Sequence, residues 1–439
     1  MPSKDKELIA LSLFSSSGIG DLGLRANGIK TVMACELIKE RAALFSVNFP
    51  NAKMFQGDIW TLCDDIIAEY RKLYKKPPFL ILATPPCQGM SSNGMGTLLR
   101  NLKEGKRTKM DERNRLIIPA MKIIKALRPD WVIIENVPKM QGTPIIDEND
   151  RLVNIIDYIK QELGSSYDGC PEVIDAADYG VPQHRKRLIT IMTRSATGKR
   201  AFSHRHSLLP EPTNAQEPGL FTRPYKTLRE TIGGLPQLEA TKGRNCCNEI
   251  PLHRVPVLDD IKLTWIKNTP EGQTALNNQC TNPDCMFQGN PSHGSKKDKD
   301  GINRAKEDTP LYCIKCGSLL PRPYVVDKES GEKRLMKAFT SAYKRMNWDE
   351  PASTLTQNFQ YACSDNKIHP SQNRVLSLWE GMILQTIADY DFTFEIDGKY
   401  VSDGVIRDTI GESIPPHLIE LICRHIIDIS CPKKTTSGS

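Results

Sequence analysis

The stretch LFSSSGIGDLG, Leu13 to Gly23, decides the fold. Its glycines, Gly18, Gly20 and Gly23, satisfy the spacing G-x-G-x-x-G that bends a chain around a nucleotide or nucleoside. The apolar run Ile9 to Phe14 before it predicts a strand, and DLGLRANG after it predicts the start of a helix. Strand, glycine turn and helix together are the entry to a doubly wound α/β sheet, which binds its ligand at the carboxyl ends of the strands. Glu36 follows at the distance at which such folds place an acid for ribose hydroxyls. A dinucleotide and S-adenosylmethionine both fit this local pattern.

Working outward, four short apolar runs, LIALSLF, KTVMACE, FLILAT and WVIIENV, alternate with amphipathic stretches. That alternation is the sequence form of strands joined by crossover helices. Arg115 to Asp130 spaces its apolar residues as a helix stopped by Arg-Pro, and Arg187 to Thr193 reads as a further strand. From about Ser203 the periodicity weakens and prolines, histidines and cysteines multiply. Gln288 to Glu307 reads as a charged loop or mobile insert. Two helices are predicted late in the chain, in HPSQNRVLSLWEGMILQTI and PPHLIELICRHIIDI. The expected division is therefore a catalytic domain at 1–202, an irregular smaller domain inserted at 203–360, and a return segment at 361–439 that completes the first.

The chain has 439 residues, 39% hydrophobic and 25% charged, which describes a globular protein large enough for two domains. No apolar run is long enough to span a bilayer and MPSKDKE has no secretory character, so no membrane association and a cytoplasmic location are expected. Thirteen cysteines in a chain of this length predict packing, metal ligation and a nucleophile rather than a disulfide framework. The net charge of +7 points to a polyanion only where basic residues cluster.

Three clusters carry chemistry. ATPPCQGMS places Cys87 after a buried strand, where two prolines stiffen the turn and aim the thiol outward. WVIIENVPKM ends another strand in Glu135 and Asn136, and an apolar strand has no packing reason to finish in a carboxylate. A thiolate with a carboxyl partner beside a nucleoside cofactor implies attack on an electron-poor ring, with the carboxyl bonding a ring nitrogen. YGVPQHRKRLIT adds Arg185 and Arg187, which on one strand would share a side and hold a phosphate and a carbonyl oxygen of the reacting base. Separately, Cys280-x4-Cys285 and Cys313-x2-Cys316 read as a structural zinc site, with His293, Cys246 and Cys247 as weaker ligands.

In this order the motifs resemble a DNA (cytosine-5)-methyltransferase of the bacterial restriction-modification type. LFSSSGIGDLGL is similar to the family's methyl-donor loop, PPCQGMS to its nucleophile motif, ENV to its glutamate motif and QHRKR to its Q-x-R-x-R motif. RMNWDEPASTLT, HPSQNRVLSLWEGMILQT and GESIPPHL resemble the segments that close the target-recognition domain and return the chain to the sheet. Two positions depart: Ser16 stands where the family usually has glycine, and Gly411-Glu412-Ser413 replaces the more usual Gly-Asn-Ala.

The resemblance implies a Rossmann-like S-adenosylmethionine fold whose glycine turn, with Ser16, Gly18 and Gly20, bends around the methionine part of the donor. Phe14 would stack on adenine, Glu36 would accept from the ribose, and Asp58 with Ile59 would meet the adenine amine. Pro86 and Ser413 would line the same pocket. The implied catalytic set is Cys87, Glu135, Arg185 and Arg187, acting on a cytosine flipped out of double-stranded DNA under a basic lid at 91–109. A cognate restriction endonuclease and a monomeric state belong to the same expectation. A methyltransferase for RNA cytosine, an inactive DNA-binding module and a NAD oxidoreductase are the alternatives.

Overall fold

The strand, turn and helix expected around residues 13–23 are present in a computed structural model that describes residues 7–86, 112–297, 303–305, 309–336, 341–364 and 366–431. Cys87 and the lid expected at 91–109 lie outside the described residues. Seven strands form the central sheet: β1 (Leu8–Leu13), β2 (Ile29–Glu36), β3 (Lys53–Gln56), β4 (Leu80–Ala83), β5 (Trp131–Asn136), β6 (Asp168–Asp175) and β7 (Lys186–Thr193). Their order is β3-β2-β1-β4-β5-β7-β6. The first five are parallel to one another, whereas β7 runs antiparallel to both β5 and β6. The strand order reverses between β1 and β4, at the crevice where open α/β folds take their ligands.

Both faces are covered, which is why β4 and β5 read as unbroken apolar runs rather than alternating ones. Leu11, Ile81, Val132 and Ile134 face the helices α3 (Ile59–Leu73), α4 (Ile117–Leu127) and α5 (Ile155–Leu163). Ala10, Leu80, Leu82 and Ile133 face the other way, toward the helix at Ala196–Arg205 and the last helix of the chain, Pro416–Ser430. The last helix buries Leu418, Ile419, Ile422 and Ile426, each burial favouring the fold by roughly 1.5–3 kcal/mol. The Trp131 indole N–H donates to Ser430 Oγ at 3.0 Å and ties its far end to β5. The last helix is therefore a structural layer on that face of the sheet.

The glycine turn is built for close approach. Gly18 has φ of +87°, and a Cβ there would lie 2.5 Å from the Phe49 ring. Gly23 sits in α1 (Ile19–Ala26), where a Cβ would come within 2.4 Å of the Pro416 carbonyl oxygen. One glycine thus serves the turn and the other the contact between the first and last helices.

The irregular stretch has little regular structure beyond helices at Leu228–Ile232 and Asp260–Lys267 and short strand pairs. Within Gln288 to Glu307, expected as a charged loop or mobile insert, the described residues include short paired strands at Ser295–Lys297 and Asn303–Ala305. Trp265 and Tyr343 form its core with Ala362, Ile368 and Val375. The helix expected across HPSQNRVLSLWEGMILQTI is shorter, Leu378–Leu384, because Ser377 and Glu380 close a capping box at its start. The Arg374 guanidinium pairs with Glu380 at 2.7 Å with both side chains fully buried, and the residues before Ser377 form bends rather than helical turns.

Candidate active site and thiolate cluster

The ends of β1, β2, β4 and β5 open into a cavity of about 740 Å³. Phe14, Glu36, Pro86, Glu135 and Arg187 lie in its wall, and residues 354–357 and 411–414 close it from the other side. The sequence therefore brings together residues more than 270 positions apart at one sheet edge.

At one part of the wall the chain after β1 turns sharply, with Phe14 at φ +59° and Ser16 at φ +48°. The left-handed conformation at Ser16 is the one a glycine adopts without strain, which accounts for the residue type usual at that position. Glu36 is buried and held by two backbone donors: Ser16 N–H reaches Oε2 at 2.8 Å and Ile38 N–H reaches Oε1 at 2.8 Å. Each carboxylate oxygen keeps a second lone pair, so the fixed group can still accept from a diol. Asp58 accepts from Trp60 N–H at 3.0 Å and caps α3, at whose start Ile59 also lines the cavity. The buried Ser16 hydroxyl has no hydrogen-bond partner among the described residues. A half-buried aromatic ring, a pre-aimed carboxylate and an orphaned hydroxyl fit an adenosine-bearing donor.

Gly20 lines the cavity, whereas Gly18 does not; it shapes the turn from behind, against Phe45 and Phe49. Ser413 is at the wall and its carbonyl accepts from Gln385 Nε2 at 2.6 Å.

The other part of the wall holds Glu135 and Arg187. Glu135 is 7% exposed, and Arg187 Nε donates to its Oε1 at 2.8 Å. Asn136 fixes the neighbouring loop: its Nδ2 donates to the Pro85 carbonyl at 3.0 Å and its Oδ1 accepts from Val137 N–H at 2.8 Å. The strand that ends in the carboxylate thus also holds the Pro85-Pro86 turn that leads into Cys87.

Arg185 departs from the expectation that it joins Arg187 at the substrate. It precedes β7, is fully buried, and donates to the carbonyls of Leu355 at 2.7 Å, Gly411 at 3.0 Å and Ser413 at 2.7 Å. The alternation that would align the two arginines holds only within a strand, and Arg185 lies outside it. It is a positioning residue that joins the two segments closing the cavity. Arg41 and Glu412, paired at 2.6 Å on the cavity wall, were not anticipated. The one sequence signal was the unusual Glu412.

In the irregular region the four thiols of Cys280, Cys285, Cys313 and Cys316 lie within 4.8 Å of one another. Cys280 and Cys316 are 3.7 Å apart and Cys285 and Cys313 4.0 Å apart. Four sulfurs about 2.3 Å from one tetrahedral zinc would stand about 3.8 Å apart. His293 pairs with Thr309 instead, and Cys246 and Cys247 belong to a separate strand bridge near Arg254.

The family model for C-5 cytosine-specific DNA methylases matches residues 8–428. The Type II methyltransferase M1.HgaI of Avibacterium volantium is 31% identical over 438 residues, covering 96% of this chain and 99% of its own. The Type II methyltransferase M.DdeI of Desulfomicrobium norvegicum is 25% identical over 428 residues, covering 95% of this chain and 88% of its own. Among solved structures, an E. coli prophage protein described as a DNA modification methyltransferase superposes with a TM-score of 0.55 at 19% identity, over 96% of this chain and 99% of its own. Spodoptera frugiperda DNMT2 gives 0.53 at 12% identity, over 96% of this chain and 99% of its own. The last two likenesses concern the fold alone.

Proposed function

Because the chain belongs to the C-5 cytosine-specific DNA methylase family, we propose that its cavity is where a cytosine, flipped out of duplex DNA, is methylated at C5. The observation that carries this reading is the buried Glu135 paired with Arg187 beside Pro86, with Cys87 the next residue in the chain. Bound S-adenosylmethionine supplies an electrophilic methyl group at that point. Phe14, Glu36, Asp58 and Ile59 would hold its adenosine part, with Ser16, Gly20 and Ser413 along the wall.

Cytosine C5 is a poor nucleophile, so the protein must first change the ring. The Cys87 thiolate adds to C6, forming a C6–S bond and pushing electron density onto C5. Glu135 hydrogen-bonds N3 and the exocyclic amine, which stabilises the ring in its enamine form. Arg187 holds Oε1 of Glu135 and keeps further N–H donors for the O2 side of the base. After C5 is substituted, its proton leaves to a base, the C6–S bond breaks and the thiolate is restored. Flipping the base costs a few kcal/mol, which contacts to the phosphate backbone must offset.

We place base recognition in 203–360, with 1–202 and 361–439 forming the catalytic domain, and read the chain as the modification half of a Type II system that shares its site with a cognate endonuclease. A monomer in the bacterial cytoplasm completes that reading. No helix among the described residues is long and apolar enough to cross a membrane. Methyl-labelled donor should transfer label to one cytosine position in duplex DNA, located by bisulfite sequencing. Label in tRNA instead of DNA, or on an exocyclic amine, would overturn the assignment.

Cys280, Cys285, Cys313 and Cys316 are proposed to bind one structural zinc. Four thiolates leave no open coordination position, so the metal would organise 203–360 without joining the chemistry. The Cys313→Ser protein is expected to release the metal and lose at least tenfold in specific DNA binding, while donor binding at the sheet survives. Elemental analysis of protein purified without added metal checks this: well under one zinc per chain, or full methylation by Cys313→Ser, would remove the site.

A further inference from the structure

The charged groups on the cavity wall sort by partner. On the reading above, Glu36 and Asp58 of the lining serve the adenosine part, and Glu135 with Arg187 serve the base. Asp21 is buried, with both carboxyl oxygens occupied by the Ser12 and Thr31 hydroxyls at 2.9 and 2.8 Å. Arg113 has a partner of its own. Arg41, on the helix α2 (Lys39–Asn48), and Glu412, at the end of the helix Asp403–Glu412, are left paired with each other at 2.6 Å. Their side chains are 15% and 31% exposed, which puts the pair at the rim rather than in the core.

A sulfonium donor has three substituents on one sulfur: the adenosyl group, the transferable methyl and an amino-acid chain that ends in an ammonium and a carboxylate. Two of the three have their complement in the sets just named. We propose that Arg41 and Glu412 form the receptor for the third, with the guanidinium taking the carboxylate and the Glu412 carboxylate taking the ammonium. The inference rests on the donor-site reading above and extends it to one specificity-determining pair. Guanidinium and carboxylate match in planar, charge-assisted geometry, and a ligand carrying one charge of each sign inserts into an existing ion pair as an alternating ring of four charges. Neither protein charge is then left without an opposite neighbour. The pair also explains how a carboxylate is tolerated beside the donor at residue 412: Arg41 neutralises it when the cavity is empty and shares it when the donor is bound.

A merely structural staple between the two helices would look the same in the free protein, so the test compares two ligands that differ only beyond the sulfur. S-adenosylhomocysteine carries the zwitterion; 5′-methylthioadenosine carries the same nucleoside and a methyl group in its place. Calorimetric titration of the full chain with each should show a clear preference for the first. Arg41→Met and Glu412→Gln are each expected to lower that preference about tenfold or more. The double variant Arg41→Gln/Glu412→Gln, which keeps two polar groups in contact without charge, should lower it at least as far while its 5′-methylthioadenosine affinity stays within about twofold. An unchanged preference in all three proteins, or equal losses for both ligands, would overturn the receptor. Wild-type protein that binds neither nucleoside would overturn the donor-site reading itself, a distinguishable failure.

Discussion

Replacement of Cys87 by alanine is expected to abolish methyl transfer, lowering kcat by at least about 10⁴-fold, while affinity for DNA and for S-adenosylhomocysteine stays near that of the unaltered protein. The size follows from the role. Without a bond from sulfur to C6 there is no electron pair at C5, and neither the carboxylate nor donor proximity can supply one. DNA containing 5-fluorocytosine separates this role from a structural one. Fluorine at C5 cannot leave as a proton, so elimination stalls and the C6–S bond persists, giving a denaturation-resistant complex. Wild-type protein should form that complex and Cys87→Ala should not. A trapped complex in the alanine variant would place the nucleophile on another residue.

Glu135→Gln is expected to reduce kcat by about 10²–10⁴-fold with little change in donor affinity. The amide is nearly the same shape as the carboxyl and can still accept a hydrogen bond from the exocyclic amine. It cannot act as a carboxylic acid toward N3, and it removes the negative charge that Arg187 Nε meets at 2.8 Å. Because that pair is buried at the rim of a strand, a melting curve must accompany the kinetics. Loss of turnover with an unchanged transition assigns the defect to the chemistry; wild-type rates would take Glu135 out of the reaction.

The parts of the molecule legible in the sequence are those fixed by neighbours in the chain. The strand before Ser15, the turn at Gly18 and the helix after it follow from residue types within a dozen positions. The doubled apolar runs at Leu80–Ala83 and Trp131–Asn136 state that both faces of the sheet are covered. Four cysteines in two close pairs announce a cluster before its distances are known. The parts that were not legible depend on segments brought together by folding. Nothing near Arg185 says that its guanidinium is surrounded by carbonyls from Leu355, Gly411 and Ser413. A run of arginines and lysines looks like a contact surface until one side chain proves to be buried. Arg41 and Glu412 are separated by 371 positions, so only the odd residue type at 412 was visible. The shortened helix at Leu378–Leu384 was obscured because its apolar spacing continues upstream, while the cap at Ser377 and the buried Arg374–Glu380 pair end it locally.

The contact between the first helix and the last has a consequence for synthesis. Gly23 leaves room for the backbone at Pro416, and the helix that begins there covers part of one face of a sheet whose fifth strand ends at Asn136. At roughly 5–20 residues per second, a ribosome needs about 15–60 s to travel from that strand to the end of the covering helix. Throughout that interval Leu80, Leu82 and Ile133 lack the last helix's share of their native cover, and the nascent chain must be shielded by chaperones or by its own transient collapse. Gly411 to Ile414, just before that helix, finish the cavity wall. A ribosome that stalls before Gly411 therefore releases an aggregation-prone fragment with an unfinished cavity, and modification of DNA begins only with chains translated past Pro416.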